Sequence, residues 1–122
     1  MSWEFHQDRP IYTQLLEKIR QMIISGFYPP GSKLPSVREL ASEASVNPNT
    51  MQKALSELER SGLIYSQRTN GRYVTENMQM IQQMQKQLAI EKVQSFLLLM
   101  EQMGFSHEET LQILSETIKE ES

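Results

Sequence analysis

Cysteine is absent from the 122 residues, and histidine occurs only twice, as His6 and His107. Without cysteine the chain has no disulfide, no thiolate nucleophile and none of the usual structural zinc sites. Two histidines so far apart in sequence argue against a buried metal site, and no cofactor is expected. Because no carboxylate pair stands in a recognisable catalytic arrangement either, the sequence argues against an enzyme.

Long apolar runs are missing as well. A membrane-spanning helix needs about 18 consecutive apolar residues, and the first residues lack the basic-then-apolar pattern of a signal peptide. We therefore expect a cytoplasmic protein without membrane contact. Its length allows about one domain with a modest core plus an appendage.

Charge is divided unevenly along the chain, whose net charge is −3. Residues 1–75 carry a net charge of +2 and residues 76–122 a net charge of −5. This asymmetry suggests that the N-terminal part faces a polyanion and the C-terminal part has another task. It predicts two regions, 1–75 and 76–122.

Helical signals dominate residues 10–62. Apolar residues at helical spacing predict a first helix from Pro10 to Ser25, followed by a turn-rich connector over residues 27–32. Ser36 and Glu39 form the Ser-x-x-Glu pattern of a capping box and predict a second helix. Asn47 before Pro48 predicts the start of a third helix, which should end near Gly62.

The periodicity then changes to short β-prone runs, 63–66 and 72–75, on either side of Asn70-Gly71, which indicates a hairpin. Three helices and a hairpin match a winged helix-turn-helix. Beyond Thr75 the pattern is helical again, with a break at Gly104 and a capping box at Ser106 and Glu109. The predicted fold class is mainly α with a small β-hairpin, a winged helix-turn-helix followed by a two-helix C-terminal dimerisation tail.

Polar and basic side chains cluster on the predicted reading surface. The second and third helices should present short amide and hydroxyl groups and cations, which suit base edges and phosphates. Arginines flank a hairpin tip small enough for a minor groove. The candidate DNA-binding residues are Ser36, Arg38, Asn47, Asn49, Thr50, Gln52, Lys53, Arg68, Thr69, Asn70, Gly71 and Arg72. Five of them have a simpler alternative: Asn47 and Thr50 as helix caps, Arg38 as a partner of Glu43, and Asn70-Gly71 as an ordinary turn.

The tail is apolar nearly all round near Phe96-Met100, and a helix of this kind must be covered on more than one side. We expect a second copy of the chain to cover it, the alternative being an intramolecular hairpin that caps the winged domain. The candidate dimerisation residues are Val93, Phe96, Leu97, Met100, Met103, Leu111, Leu114 and Ile118. An unidentified small-molecule effector would be expected between tail and winged domain, although no polar cluster marks such a site.

Several motifs together resemble the DNA-binding signature of the GntR family of bacterial regulators. They are Pro10-x-Tyr12-x-Gln14-Leu15, Gly26, Gly31, Leu34-Pro35-Ser36-Val37-Arg38-x-Leu40-Ala41, Val46-Asn47-Pro48-Asn49-Thr50-Met51, Ala54-Leu55-x-x-Leu58 and Gly62-Leu63-Ile64. The resemblance implies DNA contacts by Arg38, by the third helix at Asn47, Asn49, Thr50 and Gln52, and by the wing tip. The chain departs from the family at Pro48 and Gln52, where other members often have a basic residue, and in the residues of its wing. These departures affect which operator sequence we expect it to recognise.

The short tail resembles the YtrA-type subfamily, in which two helices mediate dimerisation and members often repress ABC-transporter operons. The resemblance implies a homodimeric repressor that binds a two-fold symmetric double-stranded DNA operator. The alternatives are a winged helix that binds protein, an enzyme, and a module for double-stranded RNA, whose deep narrow groove excludes a reading helix.

Overall fold

The computed structural model describes residues 3–122, which form five helices and one two-stranded antiparallel sheet. This confirms the predicted fold class, a mainly helical chain with one hairpin and a helical tail. The elements are α1 (Ile11–Ile24), α2 (Val37–Ala44), α3 (Pro48–Ser61), β1 (Ile64–Gln67), β2 (Gly71–Val74), α4 (Met78–Gln102) and α5 (His107–Glu121).

Local capping signals place α2 and α3 where the sequence predicted them. Ser36 Oγ accepts a hydrogen bond from the Glu39 N–H (3.1 Å), and the Glu39 carboxylate accepts one from the Ser36 N–H (3.0 Å). Asn47 Oδ1 accepts from the Asn49 N–H (2.8 Å), directly before Pro48. Between these helices Ser45 adopts a left-handed conformation with φ 57°, which forms the tight turn. These caps satisfy N–H groups that a helix start leaves free.

The hairpin formed by β1, β2 and the turn between them is hereafter called the wing. Strand β1 begins one residue later than predicted, and strand β2 begins one residue earlier. The turn contains three residues, 68–70, because Gln67 pairs with Gly71. The Asn70 N–H bonds to the Gln67 carbonyl (3.1 Å), and Gly71 follows with φ 104°, a conformation that favours glycine. This is a three-residue hairpin loop, and the hairpin lies where Asn70-Gly71 indicated it.

The end of the connector and the residues that follow it pair with the wing. They run beside β2, where the Leu34 N–H bonds to the Arg72 carbonyl and the Val74 N–H to the Ser32 carbonyl, both at 2.9 Å. Lys33 forms a bridge with Tyr73. The wing is therefore tied to the start of α2 by backbone hydrogen bonds.

One apolar cluster holds these elements together and fixes the exposed faces of α2 and α3. Its buried members come from α1, α2, α3, the wing strands and the first turn of α4. They include Leu15, Ile19, Ile23, Leu34, Leu40, Met51, Leu55, Leu58, Leu63, Ile64, Val74 and Ile81.

The chain divides into two compact units, one ending at Gln85 and the other comprising Lys86–Ser122. The functional division predicted after Thr75 stays a prediction. In the second unit the Ser106 and Glu109 capping box begins α5, as predicted. Within residues 3–122, every helix is too short or too polar to cross a membrane.

Candidate DNA-binding surface

The first half of α3 presents a polar face to solvent. Asn49, Gln52 and Lys53 are exposed and share one side of the helix by their spacing, while Thr50 is half-buried. The apolar stripe of α3 lies in the core and orients this face outward. Asn47 is exposed, and its side-chain oxygen is used to cap the helix.

The wing is joined to α3 by a carboxylate that sequence reasoning missed. Glu59 Oε1 accepts hydrogen bonds from Ser66 Oγ in β1 and Arg72 Nε in β2, both at 2.6 Å. Arg72 Nη1 also lies 3.5 Å from Gln52 Oε1. The Ser66 hydrogen bond, and next the Arg72 guanidinium, hold the pKa of Glu59 below its ordinary value. The ionised carboxylate thus keeps Arg72 beside the exposed face of α3.

A crevice of about 750 Å³, hereafter the wing crevice, separates the start of α2 from the wing. Its cations are Lys33, Arg38 and Arg72, and Ser36, Asn70 and Gly71 also line it. A Cβ at Gly71 would lie 3.2 Å from Lys33 Cε, so the lysine stem packs closely on the wing. Three cations beside the first turn of a helix form a surface suited to phosphate oxygens.

Lys33 was not among the predicted residues. Its signal in the sequence is a basic side chain three residues before the capping serine of α2. What brings it to the wing is pairing with Tyr73, a contact distant in sequence.

The opposite edge of the α3 face is marked by Lys53. Its Nζ lies 3.8 Å from the centroid of the Tyr12 ring in α1, a cation–π contact. Together with the wing crevice, this places positive charge on both sides of Asn49 and Gln52. Arg68 and Thr69 are exposed in the wing turn.

In the tail, most of the predicted dimerisation residues are exposed in the single chain. Val93, Met103, Leu111 and Ile118 are more than half exposed and Leu114 is 41% exposed. Phe96 and Leu97 are half-buried.

Two results in the tail differ from the prediction. Met100 is only 7% exposed, so its side chain is buried before a second copy can bind. Leu98 and Leu99, absent from the predicted set, are 55% and 59% exposed. The accessible apolar surface of the tail therefore includes Leu98 and Leu99 and excludes Met100.

Comparison with known proteins gives a consistent result. The family model described as "Bacterial regulatory proteins, gntR family" matches residues 11–74. The HTH-type transcriptional repressor YtrA of Bacillus subtilis is 44% identical over 91 residues, covering 67% of this chain and 70% of YtrA. A solved GntR family transcriptional regulator from Listeria monocytogenes has a TM-score of 0.86 at 37% identity, covering 92% of this chain and 98% of that one.

A further solved structure contains DNA. AraR(DBD), crystallised in complex with operator ORE1, matches with a TM-score of 0.53 at 30% identity, over 62% of this chain and 94% of that one. The matched region contains the winged helix-turn-helix in which α2, α3 and the wing form the polar, cationic surface described above. The chain therefore belongs to the gntR family of bacterial regulatory proteins, and it is a DNA-binding transcriptional regulator rather than an enzyme.

Proposed function

We propose that the protein is a homodimeric repressor that binds a two-fold symmetric operator. In this proposal α3 enters the major groove, where Asn49, Thr50, Gln52 and the exposed Asn47 read base edges. The wing turn, residues 68–70, and the adjoining Gly71 follow the neighbouring minor groove.

The observation that carries the proposal is the contact of Arg72 with both Glu59 and Gln52. It holds the wing beside the exposed face of α3, so that one rigid unit presents polar groups for bases and cations for phosphates. Lys33, Arg38 and Arg72 in the wing crevice, with Lys53 at the other edge, supply the positive charge. This positive charge disfavours the alternative of a protein-binding winged helix, which would be favoured by an acidic surface over α3.

Operator selection requires more than one such surface. One reading helix and one wing contact too few base pairs to select a site in a genome, whereas a two-fold dimer reads two half-sites. The exposed side chains of the tail, among them Leu99, Leu111 and Ile118, supply apolar surface for that pairing.

Two parts of the proposal, repression rather than activation and the identity of the regulated operon, are inferred from similar proteins. The transcriptional repressor YtrA of Bacillus subtilis is similar over most of this chain, which supports repression here. Because members of the YtrA-type group often repress ABC-transporter operons, we propose such an operon as the target. A bacterial protein that binds chromosomal DNA acts in the cytoplasm, and we propose that location for this protein. Deletion of the gene should raise transcripts of the operon that carries the operator.

The direct test selects bound fragments from random duplex DNA and measures affinity for the consensus by gel shift. We expect an inverted repeat, and we expect Arg38→Ala and Asn49→Ala to weaken binding about tenfold each while folding normally. Lys119→Ala is the control for loss of a positive charge, because Lys119 lies in the last turn of α5, outside the proposed DNA contacts. A consensus without two-fold symmetry, or wild-type affinity in both variants, would overturn the proposal.

A further inference from the structure

The first unit contains a second crevice, of about 220 Å³, which the proposed DNA contacts do not use. The described residues that line it are Trp3, Met22, Phe27, Tyr28 and Glu43. We call it the aromatic crevice. Glu43 lies in the last turn of α2, whereas Ser36 and Arg38 of the DNA surface lie at the start of that helix.

Three of the described lining side chains, Trp3, Phe27 and Tyr28, are aromatic. The Phe27 and Tyr28 rings meet edge to face, with centroids 5.1 Å apart. Trp3 and Tyr28 also pack on the core, which fixes their orientation. Phe27 is 53% exposed, so core packing does not account for an aromatic ring at this position.

The charge of the crevice is negative. Glu43 forms no ion pair with any other residue in 3–122, and the last turn of α2 contains no basic residue. The carbonyl end of a helix carries partial negative charge, which adds to that of the carboxylate. Burial, and next the Glu43 carboxylate, raise the pKa of Tyr28, so its hydroxyl stays protonated and neutral at physiological pH.

Aromatic rings beside a carboxylate without an ion pair favour one chemical class of ligand. The faces of aromatic rings attract cations, and aromatic cages are a known solution for quaternary ammonium groups. Ca²⁺ and Mg²⁺ require several oxygen ligands, whereas the described lining offers one carboxylate and one phenol. We infer that Trp3, Phe27, Tyr28 and Glu43 form a binding site for a small organic cation of the quaternary ammonium class.

The protein contains one tryptophan, Trp3, so its fluorescence reports directly on this crevice. The experiment titrates the full chain with choline chloride at constant ionic strength, in the absence of DNA. We expect a saturable change in Trp3 emission, and none with 3,3-dimethyl-1-butanol, which has the shape of choline without its charge. Because no DNA is present, failure here leaves the proposed operator binding untouched.

Variants separate the site from a general effect of charge. Glu43→Gln and Phe27→Ala should weaken choline binding by about tenfold, since each removes one source of attraction for the cation. Glu116→Gln, on exposed α5, removes the same charge elsewhere and should bind as the wild type does. Both crevice side chains are exposed, and circular dichroism should show unchanged helix content.

The inference would be overturned by the absence of saturable binding, by an equal response to the neutral alcohol, or by wild-type affinity in Glu43→Gln. Tighter binding of N-acetyl-lysine amide than of choline would also do so, because it would indicate a docking point for a lysine of a partner protein.

Discussion

Glu59 and Arg72 lie 2.6 Å apart, from carboxylate oxygen to Nε, and join α3 to β2 of the wing. The same oxygen accepts from Ser66 Oγ, so both strands of the wing are bound to α3 by one side chain. Hydrogen bonds to a charged group are worth about 1.5–3 kcal/mol each. Glu59 thus acts as a positioning residue for the wing.

Replacing Glu59 should therefore affect DNA binding more than folding. In Glu59→Gln the amide still accepts a hydrogen bond but no longer pairs with the guanidinium, so Arg72 loses its fixed place beside Gln52. We expect operator affinity to fall about tenfold in an anisotropy titration. Glu57→Gln, on the same helix and paired only with exposed Arg60 among residues 3–122, is the control. Equal affinity in the two variants would contradict the positioning role.

The same carboxylate should make stability depend on pH in acid. The pKa of Glu59 is lower in the folded chain than its ordinary value of 4.5, so the folded state binds its proton more weakly than the unfolded state. Its stabilising contribution is then present above pH 4.5 and is lost as the pH falls through the lower, folded value. Urea unfolding of the wild type should show this loss, and Glu59→Gln should show a smaller one. A parallel pH dependence in both would show that other groups are responsible.

Glutamate substitutions in the tail should separate the proposed dimer into monomers. Leu99 and Leu111 are 59% and 65% exposed in the single chain, so a charge at either position disturbs only a contact with a second copy. We expect Leu99→Glu and Leu111→Glu to sediment as folded monomers in analytical ultracentrifugation. Gln112→Glu adds the same charge on α5 at an exposed polar position and should stay dimeric. A dimeric Leu111→Glu would place the contact elsewhere.

Met100→Glu should behave differently from the exposed positions. Met100 is 7% exposed, so the substitution buries an unpaired charge within one chain, which is strongly destabilising. We expect a lower Tm whatever the oligomeric state. An unchanged Tm would show that the methionine becomes accessible in solution.

Salt should weaken operator binding steeply, because each neutralised phosphate releases counterions. The slope of log K against log[salt] is about −0.9 per phosphate contact on B-DNA. Lys33→Ala should therefore make the slope less steep by about 1, without changing sequence preference. Lys119→Ala, near the end of α5, is the charge-matched control. If Lys33→Ala leaves the slope unaltered, Lys33 does not contact a DNA phosphate.

The parts of this fold that were predictable depend on signals short in sequence. The capping boxes at Ser36 and Ser106, the Asn47-Pro48 start of α3 and the Gly62 end are each specified within four residues, because a helix end must satisfy its own backbone groups. The exposed face of α3 followed from the periodicity of its buried stripe.

Other features depend on contacts between distant residues. Lys33 reaches the wing through Tyr73, and Glu59 is seven residues from Ser66 and thirteen from Arg72 in sequence. No local pattern encodes such pairs. Met100 and Leu99 adjoin in an all-round apolar segment, and only packing decides which of them is buried. The sequence therefore predicted elements and faces better than it predicted which side chains meet.

Gln14 offers a final test, because it fixes the segment that carries Trp3. Its side chain, 5% exposed, accepts from the His6 N–H (2.7 Å) and donates to the carbonyls of His6 (2.7 Å) and Arg9 (3.0 Å). Gln14→Ala leaves these backbone groups without partners, at a cost of about 1–3 kcal/mol. We expect faster hydrogen exchange in residues 3–9 and a red-shifted Trp3 emission.

Gln14→Glu gives the stricter comparison. A carboxylate can still accept from the His6 N–H, yet it repels the two carbonyls to which the amide donates. Only a hydrogen-bond donor at this position holds the segment in place, so Gln14→Glu should resemble Gln14→Ala. The control is Gln21→Ala, at an exposed position of α1, which should leave hydrogen exchange and Trp3 emission unchanged. Since Trp3 also lines the aromatic crevice, both Gln14 variants should weaken choline binding. Wild-type emission in Gln14→Ala would show that Trp3 is held by its core contacts alone.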